Sequence, residues 1–340
     1  MAHGGNLVEA SNRIGVSKYD IIDFSASIND FIDLKDIFIK RDDIKIYPQG
    51  IMIKNKSICE FENVVNTPGL TFFIHRLLSY VNGNIIIIEP TFKEYNSAFT
   101  YGNRINIPFN VVNQNPEIIK NYNFSLVIIV YPDNPLGNMI SRESLLRISN
   151  ICMERSSMLF IDESFIFFSK KRYDDDELLN KNTLIGRSLT KILGIPGLRL
   201  GYIAGDKHNI NLIKNIVGPW SVADYVIEYA NSISINYDFL KELDAEKQFM
   251  IKSLENMNFK AIGEHIANYI TFKLPDGISG IKLYNYLLKN MILIRLLNDY
   301  DCLGENYIRV TIRKHELNKK LIDNIRRFLH ENDSGSWDII

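Results

Sequence analysis

The chain has 340 residues, of which 46% are hydrophobic and 23% are charged, and its formal net charge is −1. This composition is typical of a globular protein with a large core, and the charge balance favours neither nucleic acid nor a membrane surface as a partner. Three scattered cysteines without a CxxC spacing argue against a disulfide framework or a metal site. The amino-terminus lacks the pattern of a signal peptide, so a cytoplasmic protein is expected.

Strand-like and helix-like segments alternate through the middle of the chain. Short β-branched runs, which suit buried strands of a mostly parallel sheet, occur at 85–88, 126–131, 158–162, 183–187 and 201–204. The clearest helix spans 141–155, with Ser141 as its N-cap and apolar residues at helical spacing. The order strand, helix, strand predicts an α/β domain.

The pattern of the sequence changes near residue 238. The expected elements after it are a helix at 239–257, a strand at 267–274, a helix at 281–289, two short strands and a last helix at 319–330. They predict a smaller α+β domain at 239–330, after a large domain at 31–238 and an amino-terminal arm at 1–30. The polar segment 331–340 is expected to be a frayed tail.

The segment 187–202, RSLTKILGIPGLRLGY, follows a predicted strand and carries a candidate phosphate site. Ser188 and Thr190 precede Lys191, and Arg199 follows after glycines and a proline that force an irregular backbone. Hydroxyls and a guanidinium are good phosphate ligands, and a lysine near such a cation can lose its proton and act as a nucleophile. The structural alternative is an exposed loop with a solvated lysine.

Three further candidate residues follow other predicted strands. Asp162 lies at the strand end where parallel sheets bind ligands, and its carboxylate can pair with a pyridine nitrogen. Asn134 lies in a turn between prolines and can donate to a phenolate oxygen, and Phe92 can stack on a flat ring. The structural alternatives are a helix cap or magnesium ligand, a turn residue and a core residue.

In this order, and each just after a strand, these sites resemble the fold-type-I pyridoxal-phosphate enzymes of the class I and II aminotransferases. The lysine segment is similar to the family signature S-x-[ST]-K…G-x-R-x-G-Y. The resemblance implies an aspartate-aminotransferase-like α/β fold and pyridoxal 5′-phosphate as cofactor. It also implies that Lys191 forms the Schiff base and that Asp162 pairs with the pyridine nitrogen. Asn134 would donate to the ring oxygen O3′, and Phe92 would stack on the ring.

The resemblance assigns the cofactor's phosphate to a further group of residues. They are Gly69, Leu70, Thr71, Ser188, Thr190 and Arg199. The family's glycine-rich N-G-E stretch appears here as NTPGLT at 66–71, whose backbone N–H groups and Thr71 hydroxyl can meet phosphate at a helix N-terminus. Tyr47 matches the tyrosine that reaches the phosphate of the neighbouring subunit, which implies a homodimer with shared active sites.

Several motifs are similar to those of the threonine-phosphate decarboxylases, and the resemblance spans roughly residues 3–313. They include HGGN at 3–6 and DFSASIN at 23–29. Phe165 stands where the sister family, the histidinol-phosphate aminotransferases, usually has a tyrosine whose hydroxyl bonds the cofactor oxygen, and phenylalanine cannot do this. The resemblance implies decarboxylation of an O-phosphorylated amino acid, namely O-phospho-L-threonine to an aminopropanol phosphate for cobalamin biosynthesis.

The same resemblance implies a substrate site made of His3, Gly4, Asn29, Arg295 and Arg309. Arg309 is expected to bind the carboxylate, and Arg295 with His3 the phosphate. Fixing both anionic groups sets which bond to Cα stands perpendicular to the cofactor ring, so CO2 loss and transamination need nearly the same residues.

Two departures from the family pattern leave the substrate open. Ser27 stands where asparagine is usual and Asp30 where proline is usual. Serine phosphate therefore remains a candidate substrate, because a pocket discriminates one methyl group by only about 1–3 kcal/mol. The alternative functions are a histidinol-phosphate-type aminotransferase and a non-catalytic homologue that binds the cofactor.

Overall fold

The computed structural model describes residues 4–34, 36–37, 39–170, 172–173, 175–300 and 303–333. The chain forms two compact units. The large unit is Ile32–Asn236, and the small unit combines Met1–Phe31 with Tyr237–Ile340. The first segment of the chain therefore belongs to the same unit as the last.

The strands of the described residues form three sheets. In chain order they are β1 (Ile22–Asp23), β2 (Val64–Thr67), β3 (Ile85–Glu89), β4 (Arg104–Pro108), β5 (Leu126–Val130), β6 (Met158–Asp162), β7 (Thr183–Ser188), β8 (Gly201–Gly205), β9 (Lys260–Ile262), β10 (Tyr269–Lys273), β11 (Ile292–Leu293), β12 (Arg295–Leu296) and β13 (Tyr307–Thr311). The described part of the large unit contains a seven-stranded sheet in the order β2-β8-β7-β6-β5-β3-β4.

One of the described helices comes before the first strand, and the others lie between and after the strands. In chain order they are α1 (Leu7–Ile14), α2 (Gly69–Tyr80), α3 (Glu94–Ala98), α4 (Phe109–Gln114), α5 (Arg142–Glu154), α6 (Asp175–Leu178), α7 (Leu189–Ile192), α8 (Lys207–Val217), α9 (Asp224–Ser232), α10 (Phe239–Glu255), α11 (Gly280–Lys289) and α12 (His315–Asp333), with single 3₁₀ turns at Pro116–Asn121, Ile166–Phe168 and Pro196–Leu198. As predicted, Ser141 caps α5, and its hydroxyl accepts a hydrogen bond from the Ser144 N–H.

The large sheet is mostly parallel, as predicted. β4, β3, β5, β6 and β7 run parallel to one another, whereas β8 is antiparallel to both β7 and β2. The connection from β7 to β8 contains only α7 and a 3₁₀ turn, and antiparallel neighbours need no helical crossover. The run at 201–204 is thus a strand, but it does not run in the main direction of the sheet.

The β-branched runs form central strands of the large unit because their side chains are buried in its core. Every residue of β5 is buried, and the isoleucines of β3 are buried as well. On one face of the sheet, Phe160 and Leu184 pack with Leu70 and Phe73 of α2. Each such side chain contributes about 1.5–3 kcal/mol when fully buried. This packing holds the strand ends in register: Val130 pairs with Asp162, and Asp162 with Gly186.

The small unit contains a four-stranded antiparallel sheet, β12-β13-β10-β9, and the parallel pair β1-β11. The last helix differs from the prediction, because α12 begins at His315 rather than 319 and continues through Asp333. Glu246 of α10 accepts a hydrogen bond from Asn318 and lies 3.0 Å from the His315 ring, so tertiary contacts extend the first turn. Of the predicted tail, residues 334–340 lie outside the described residues.

Two negative findings concern the described residues alone. None of their helices is both long and apolar enough to cross a bilayer. No three His, Cys, Asp or Glu side chains among them are grouped to hold a metal ion. Cys59 and Cys152 are buried free thiols, and Cys302 is outside the described part of the chain.

Candidate cofactor site

Three neighbouring parallel strands bring the predicted cofactor residues to one edge of the large sheet. Asp162 is the last residue of β6, Asn134 follows the end of β5, and Lys191 lies in α7 directly after β7. Because these strands are parallel and in register, their carboxyl ends lie side by side. The tertiary structure therefore assembles the lysine, the carboxylate and the amide on the ligand-binding edge.

The Asp162 carboxylate accepts three hydrogen bonds inside the protein. The Ser164 N–H and hydroxyl donate to Oδ1 at 2.8 and 2.6 Å, and the Tyr95 hydroxyl donates to Oδ2 at 2.6 Å. Burial raises the pKa of Asp162, while the bonds from Ser164 and Tyr95 oppose that rise. A cation placed against this carboxylate, such as a protonated pyridine nitrogen, would favour its ionised form.

Tyr95 is a hydrogen-bond partner of the Asp162 carboxylate that the sequence did not reveal. It lies in α3, three residues after Phe92, and its side chain is 1% exposed. Burial raises its pKa well above the usual range, and the neighbouring Asp162 charge acts in the same direction. Tyr95 therefore remains a neutral hydrogen-bond donor. A tyrosine one helical turn after the predicted stacking residue is the only sequence signal, and such a tyrosine is usually a core residue.

The turn that carries Asn134 is closed by its neighbour. Asp133 is 1% exposed and accepts hydrogen bonds from the Asn138 N–H at 2.9 Å and from the Asn138 amide at 2.8 Å. The Gly137 N–H donates to the Asp133 carbonyl oxygen at 2.9 Å. These bonds hold the turn, and Asn134 itself is buried within it.

The aromatic residue predicted to stack on the cofactor follows β3. Phe92 is partly buried and packs against the core of the large unit. Its ring meets that of Tyr95 edge to face, with centroids 6.5 Å apart.

The predicted phosphate ligands converge at the start of α2. The Ser188 and Thr190 hydroxyls are 2.8 Å apart. Gly69 opens α2 with φ +73°, and a Cβ built on it would lie 2.6 Å from an Arg199 Nη2. The guanidinium therefore lies directly over the first turn of a 12-residue helix, where free N–H groups favour an anion. Leu70 can offer a phosphate only its backbone N–H, because its side chain is buried in the core.

One further hydroxyl at this end was missed by the sequence analysis. Thr67 pairs with Gly201, and Gly201 pairs with Ser188 in the next strand. The Thr67 Oγ1 is buried, and it has no hydrogen-bond partner among the described residues. A buried hydroxyl in this position can donate to an oxygen of a bound group.

Tyr47, expected to contact the neighbouring subunit, is one of the most exposed aromatic residues described. Its side chain is 70% exposed, and one face stacks on Trp220 with ring centroids 4.6 Å apart. The proposed contact with a partner subunit remains a prediction.

The small unit brings together motifs that are far apart in the sequence. A Cβ on Gly4 would lie 2.2 Å from the Ser25 carbonyl oxygen, and the Gly5 N–H donates to the Ser25 hydroxyl at 2.7 Å. The Ser25 carbonyl also accepts a bond of 2.8 Å from Arg309. Gly4 and Gly5 of the HGGN motif, Ser25 of DFSASIN and Arg309 of β13 therefore form one cluster. His3 lies outside the described residues.

The two arginines predicted to bind the substrate are neighbours in the small sheet. Arg295 in β12 pairs in register with Arg309 in β13, and both are buried. Asp299 accepts a hydrogen bond from Arg295 at 2.7 Å. The Arg309 guanidinium lies 4.9 Å from the centre of the Tyr269 ring, and burial lowers its pKa. Guanidiniums are good ligands of carboxylate and phosphate, and the Asp299 carboxylate already binds one of these two.

Two of the residues around this cluster occupy positions where the sequence departs from the family pattern. Asn29 is buried, and its side chain accepts a hydrogen bond from the Phe31 N–H at 3.1 Å. Asp30 forms an ion pair with Arg313 at 3.0 Å, so the acidic side chain is balanced within the unit. The Ser27 hydroxyl is buried without a hydrogen-bond partner among the described residues.

Known proteins resemble this chain along most of its length. The profile of the family described as Aminotransferase class I and II matches residues 62–325. The adenosylcobalamin biosynthesis bifunctional protein CobDQ of Leptospira interrogans is 28% identical over 352 residues, covering 94% of this chain but only 40% of that protein. A histidinol-phosphate aminotransferase of Vesicomyosocius okutanii is 29% identical over 259 residues, covering 72% of this chain and 70% of that protein.

Solved structures show the same fold. The L-threonine-O-3-phosphate decarboxylase of Porphyromonas gingivalis superposes with a TM-score of 0.67 at 20% identity, covering 97% of this chain and 90% of that one. The histidinol-phosphate aminotransferase of Sinorhizobium meliloti, in complex with pyridoxal-5′-phosphate, has a TM-score of 0.67 at 17% identity, covering 78% and 77%. The predicted fold-type-I, aspartate-aminotransferase-like fold is confirmed.

The residues of the large unit fit pyridoxal phosphate. The glycine at the start of α2 leaves a space that a Cβ would fill, beside the Arg199 guanidinium and two hydroxyls. Thr67 adds a buried hydroxyl without a partner among the described residues. The buried Asp162 carboxylate provides a partner for a protonated ring nitrogen. Phosphate cradle, carboxylate and lysine thus occupy one edge of one sheet.

Proposed function

Because the chain belongs to the class I and II aminotransferase family, we propose that it decarboxylates an O-phosphorylated amino acid, with O-phospho-L-threonine as the first candidate. Family membership implies pyridoxal phosphate as its cofactor. The product would be (R)-1-aminopropan-2-yl phosphate, which is used in cobalamin biosynthesis. The match of 94% of this chain to a bifunctional cobalamin biosynthesis protein supports this proposal.

Phe165 is the observation that carries the choice of decarboxylation. It follows β6 three residues after Asp162, is 5% exposed, and packs on Phe168 with ring centroids 6.4 Å apart. In the aminotransferases that the chain resembles, a tyrosine hydroxyl at this position bonds the cofactor oxygen. Phenylalanine has no hydroxyl, so we assign the hydrogen bond to O3′ to Asn134.

The proposed roles follow from the chemistry of each side chain. When bound, pyridoxal phosphate supplies an electron sink for the bond that breaks at Cα. Asp162 would hold the cofactor by its protonated ring nitrogen, and Lys191 would hold it through Nζ, an atom that can also return a proton to Cα. Arg309 binds the substrate carboxylate and Arg295 its phosphate, and together they set the carboxylate bond perpendicular to the ring.

The second candidate function is transamination of histidinol phosphate. The histidinol-phosphate aminotransferase that is 29% identical supports it as directly as the cobalamin protein supports decarboxylation. The two reactions differ in which bond to Cα breaks, so they predict different products from the same cofactor site. A non-catalytic homologue is the third candidate, and it predicts bound cofactor without turnover.

The deciding experiment mixes the cofactor-loaded protein with O-phospho-L-threonine and follows both CO2 and the cofactor absorbance. We expect stoichiometric CO2 and an unchanged cofactor spectrum, with no CO2 from the Lys191→Ala variant. O-phospho-L-serine and L-threonine are the comparison substrates. If no phosphorylated amino acid releases CO2 and amino donors convert the cofactor to its amine form, the protein is an aminotransferase.

Arg295 offers a test of the phosphate assignment. For Arg295→Gln we expect kcat/KM for O-phospho-L-threonine to fall about 100-fold, since a hydrogen bond to a charged group contributes about 1.5–3 kcal/mol. We expect any turnover of unphosphorylated L-threonine to remain unchanged, because that substrate has no phosphate for Arg295 to bind. An equal loss of kcat/KM with both substrates would show that Arg295 does not bind the substrate phosphate.

We also propose that the protein is a homodimer in which Tyr47 reaches the cofactor phosphate of the partner subunit. Apolar side chains close to Tyr47 in the sequence support this. Ile44 and Ile46 are 66% and 61% exposed, and several large apolar side chains on one short segment favour a covered surface.

A further inference from the structure

A buried three-residue network lies beside the cofactor residues of the large unit. The Arg187 Nε donates to Glu163 Oε2 at 2.7 Å, and the Tyr131 hydroxyl donates to Glu163 Oε1 at 2.5 Å. Arg187 and Tyr131 are 0% exposed and Glu163 is 1% exposed. The proposed reaction does not use any of the three, so this buried charge pair needs its own explanation.

The network joins three strand ends, each of which carries a proposed cofactor residue. Tyr131 follows β5 and precedes Asn134 by three residues, Glu163 directly follows Asp162, and Arg187 precedes Lys191 by four residues. Backbone bonds connect the same three strands, from Tyr131 to Asp162 at 3.0 Å and from Glu163 to Gly186 at 2.8 Å.

The network lies on the face of the sheet opposite to the phosphate site. Phe160 and Leu184 face α2 and belong to the core with Leu70. Side chains alternate along a strand, so Asp162 and Ser188 share that face, and Glu163 and Arg187 point the other way. On their side, the guanidinium lies 4.7 Å from the Phe61 ring centre and 5.4 Å from that of Phe167.

Stability alone does not account for this buried pair, because burying two charges costs about as much free energy as their attraction returns. Its electrostatic effect on the site is direct. Burial is the main cause that raises the pKa of Asp162, and the charge of Glu163 acts in the same direction. Without Glu163, Arg187 would add positive charge close to the residues that would hold the cofactor, and it would disfavour protonated nitrogens bound there.

We propose that Tyr131, Glu163 and Arg187 are positioning residues for the cofactor: they hold the three strand ends in register, and Glu163 neutralises the Arg187 guanidinium next to the residues that would hold the cofactor. The inference rests on the proposed cofactor roles of Asn134, Asp162 and Lys191. It does not depend on which substrate the protein decarboxylates or transaminates.

The test compares Glu163→Gln with Glu60→Gln in the full-length holoenzyme. Glu60 also binds Arg187, at 2.8 Å, but its side chain is half exposed, so it is a matched control. The readouts are the dissociation constant of pyridoxal phosphate and the pH titration of its bound absorbance, both without substrate. Glu60, Tyr95, Tyr173 and Tyr202 are among the titratable side chains that contact the network or Asp162, and all four are unchanged in Glu163→Gln.

For Glu163→Gln we expect cofactor affinity to fall about tenfold and the titration midpoint to move down by about one pH unit, which is a tenfold change in proton affinity. Glu60→Gln should change neither by more than about twofold, because solvent screens an exposed charge. Equal midpoints and affinities in the two variants, with only a lower Tm for Glu163→Gln, would overturn the proposal.

A second variant keeps the test decisive if Glu163→Gln fails to fold. Tyr131→Phe removes one hydroxyl and no charge, and we expect it to weaken cofactor binding about threefold, in line with the loss of one hydrogen bond. Wild-type affinity in Tyr131→Phe would contradict the positioning role. Because no substrate is present, failure of the protein to release CO2 from O-phospho-L-threonine would count against the proposed function and leave this result intact.

Discussion

Asp162 illustrates how a single residue can be costly to the fold and useful to the site. Its carboxylate is buried, and burial raises its pKa although Tyr95 and Ser164 donate hydrogen bonds to it. An aspartate whose folded pKa lies above its unfolded value destabilises the fold once the pH exceeds the unfolded pKa of about 3.9. A protonated ring nitrogen against the carboxylate would offset this cost.

This linkage predicts a stability gain from removing the charge. Cofactor-free Asp162→Asn should unfold at a temperature about 2–4 °C higher than the cofactor-free wild type near neutral pH, for a gain of about 1 kcal/mol. The difference should shrink as the pH falls and the wild-type carboxylate takes up its proton. Thermal unfolding of both proteins across pH 4–8 measures this difference in unfolding temperature. A difference that grows towards low pH would mean that folding lowers the pKa of Asp162 instead of raising it.

The Tyr95 hydroxyl is a second group on which the state of Asp162 depends. It donates to Asp162 at 2.6 Å and helps to keep that carboxylate ionised. We expect Tyr95→Phe to weaken pyridoxal phosphate binding about tenfold, because a hydrogen bond to a charged group contributes about 1.5–3 kcal/mol. Equilibrium titration of the cofactor absorbance measures it. Tyr101→Phe, on an exposed tyrosine of the same unit, is the control and should bind like the wild type.

At the scale of single elements, the start of α2 combines a helix end with an unusual backbone. Gly69 adopts φ +73°, and the Arg199 guanidinium fills the space where a side chain would begin. Arg199 itself has φ 52°, although it is not a glycine. A non-glycine residue in this region costs free energy, so the surrounding structure holds the arginine in a conformation that places it over the helix.

This geometry predicts the outcome of Gly69→Ala. The new Cβ would lie 2.6 Å from the guanidinium and displace it, so cofactor affinity should fall at least about tenfold as a charge-assisted phosphate contact is lost. Gly15→Ala is the matched control, because Gly15 has φ +71° but open space around its Cβ position. Both variants should unfold at lower temperature, and only Gly69→Ala should bind the cofactor more weakly. Equal cofactor affinities in the two variants would show that Arg199 does not bind the cofactor phosphate.

At the scale of the whole molecule, the proposed dimer gives the exposed Tyr47 its role. The hydroxyl of a 70% exposed tyrosine has no evident function within one subunit, whereas a shared active site would use it across a two-fold axis.

Subunit complementation tests this arrangement. Tyr47→Ala and Lys191→Ala should each be nearly inactive as pure proteins. After mixing under exchange conditions, random heterodimers should restore about a quarter of the sites, because half of the dimers then contain one intact site of two. Absence of recovery in a mixture that sedimentation shows to be dimeric would exclude the shared site.

The alternation of buried strands and helices, the lysine segment and the order of the candidate cofactor residues could all be predicted from the sequence. These features are local: hydrophobic period, turn residues and short motifs are written in consecutive positions. For this reason Lys191, Asp162 and Asn134 were predicted at strand ends. The six strands with predicted bounds were observed within two residues of those bounds, whereas β1, β2, β4 and β9 were not predicted.

The distant residues that contact the candidate cofactor residues could be identified only from the folded chain. Tyr95 reaches Asp162 across 67 positions, and Arg187 reaches Glu163 across 24. The antiparallel direction of β8 and the early start of α12 also depend on neighbouring elements. The physical reason is common to all of them: a hydrogen bond or buried charge between distant segments forms only once packing has brought the partners together, and it leaves no periodic signal in either segment.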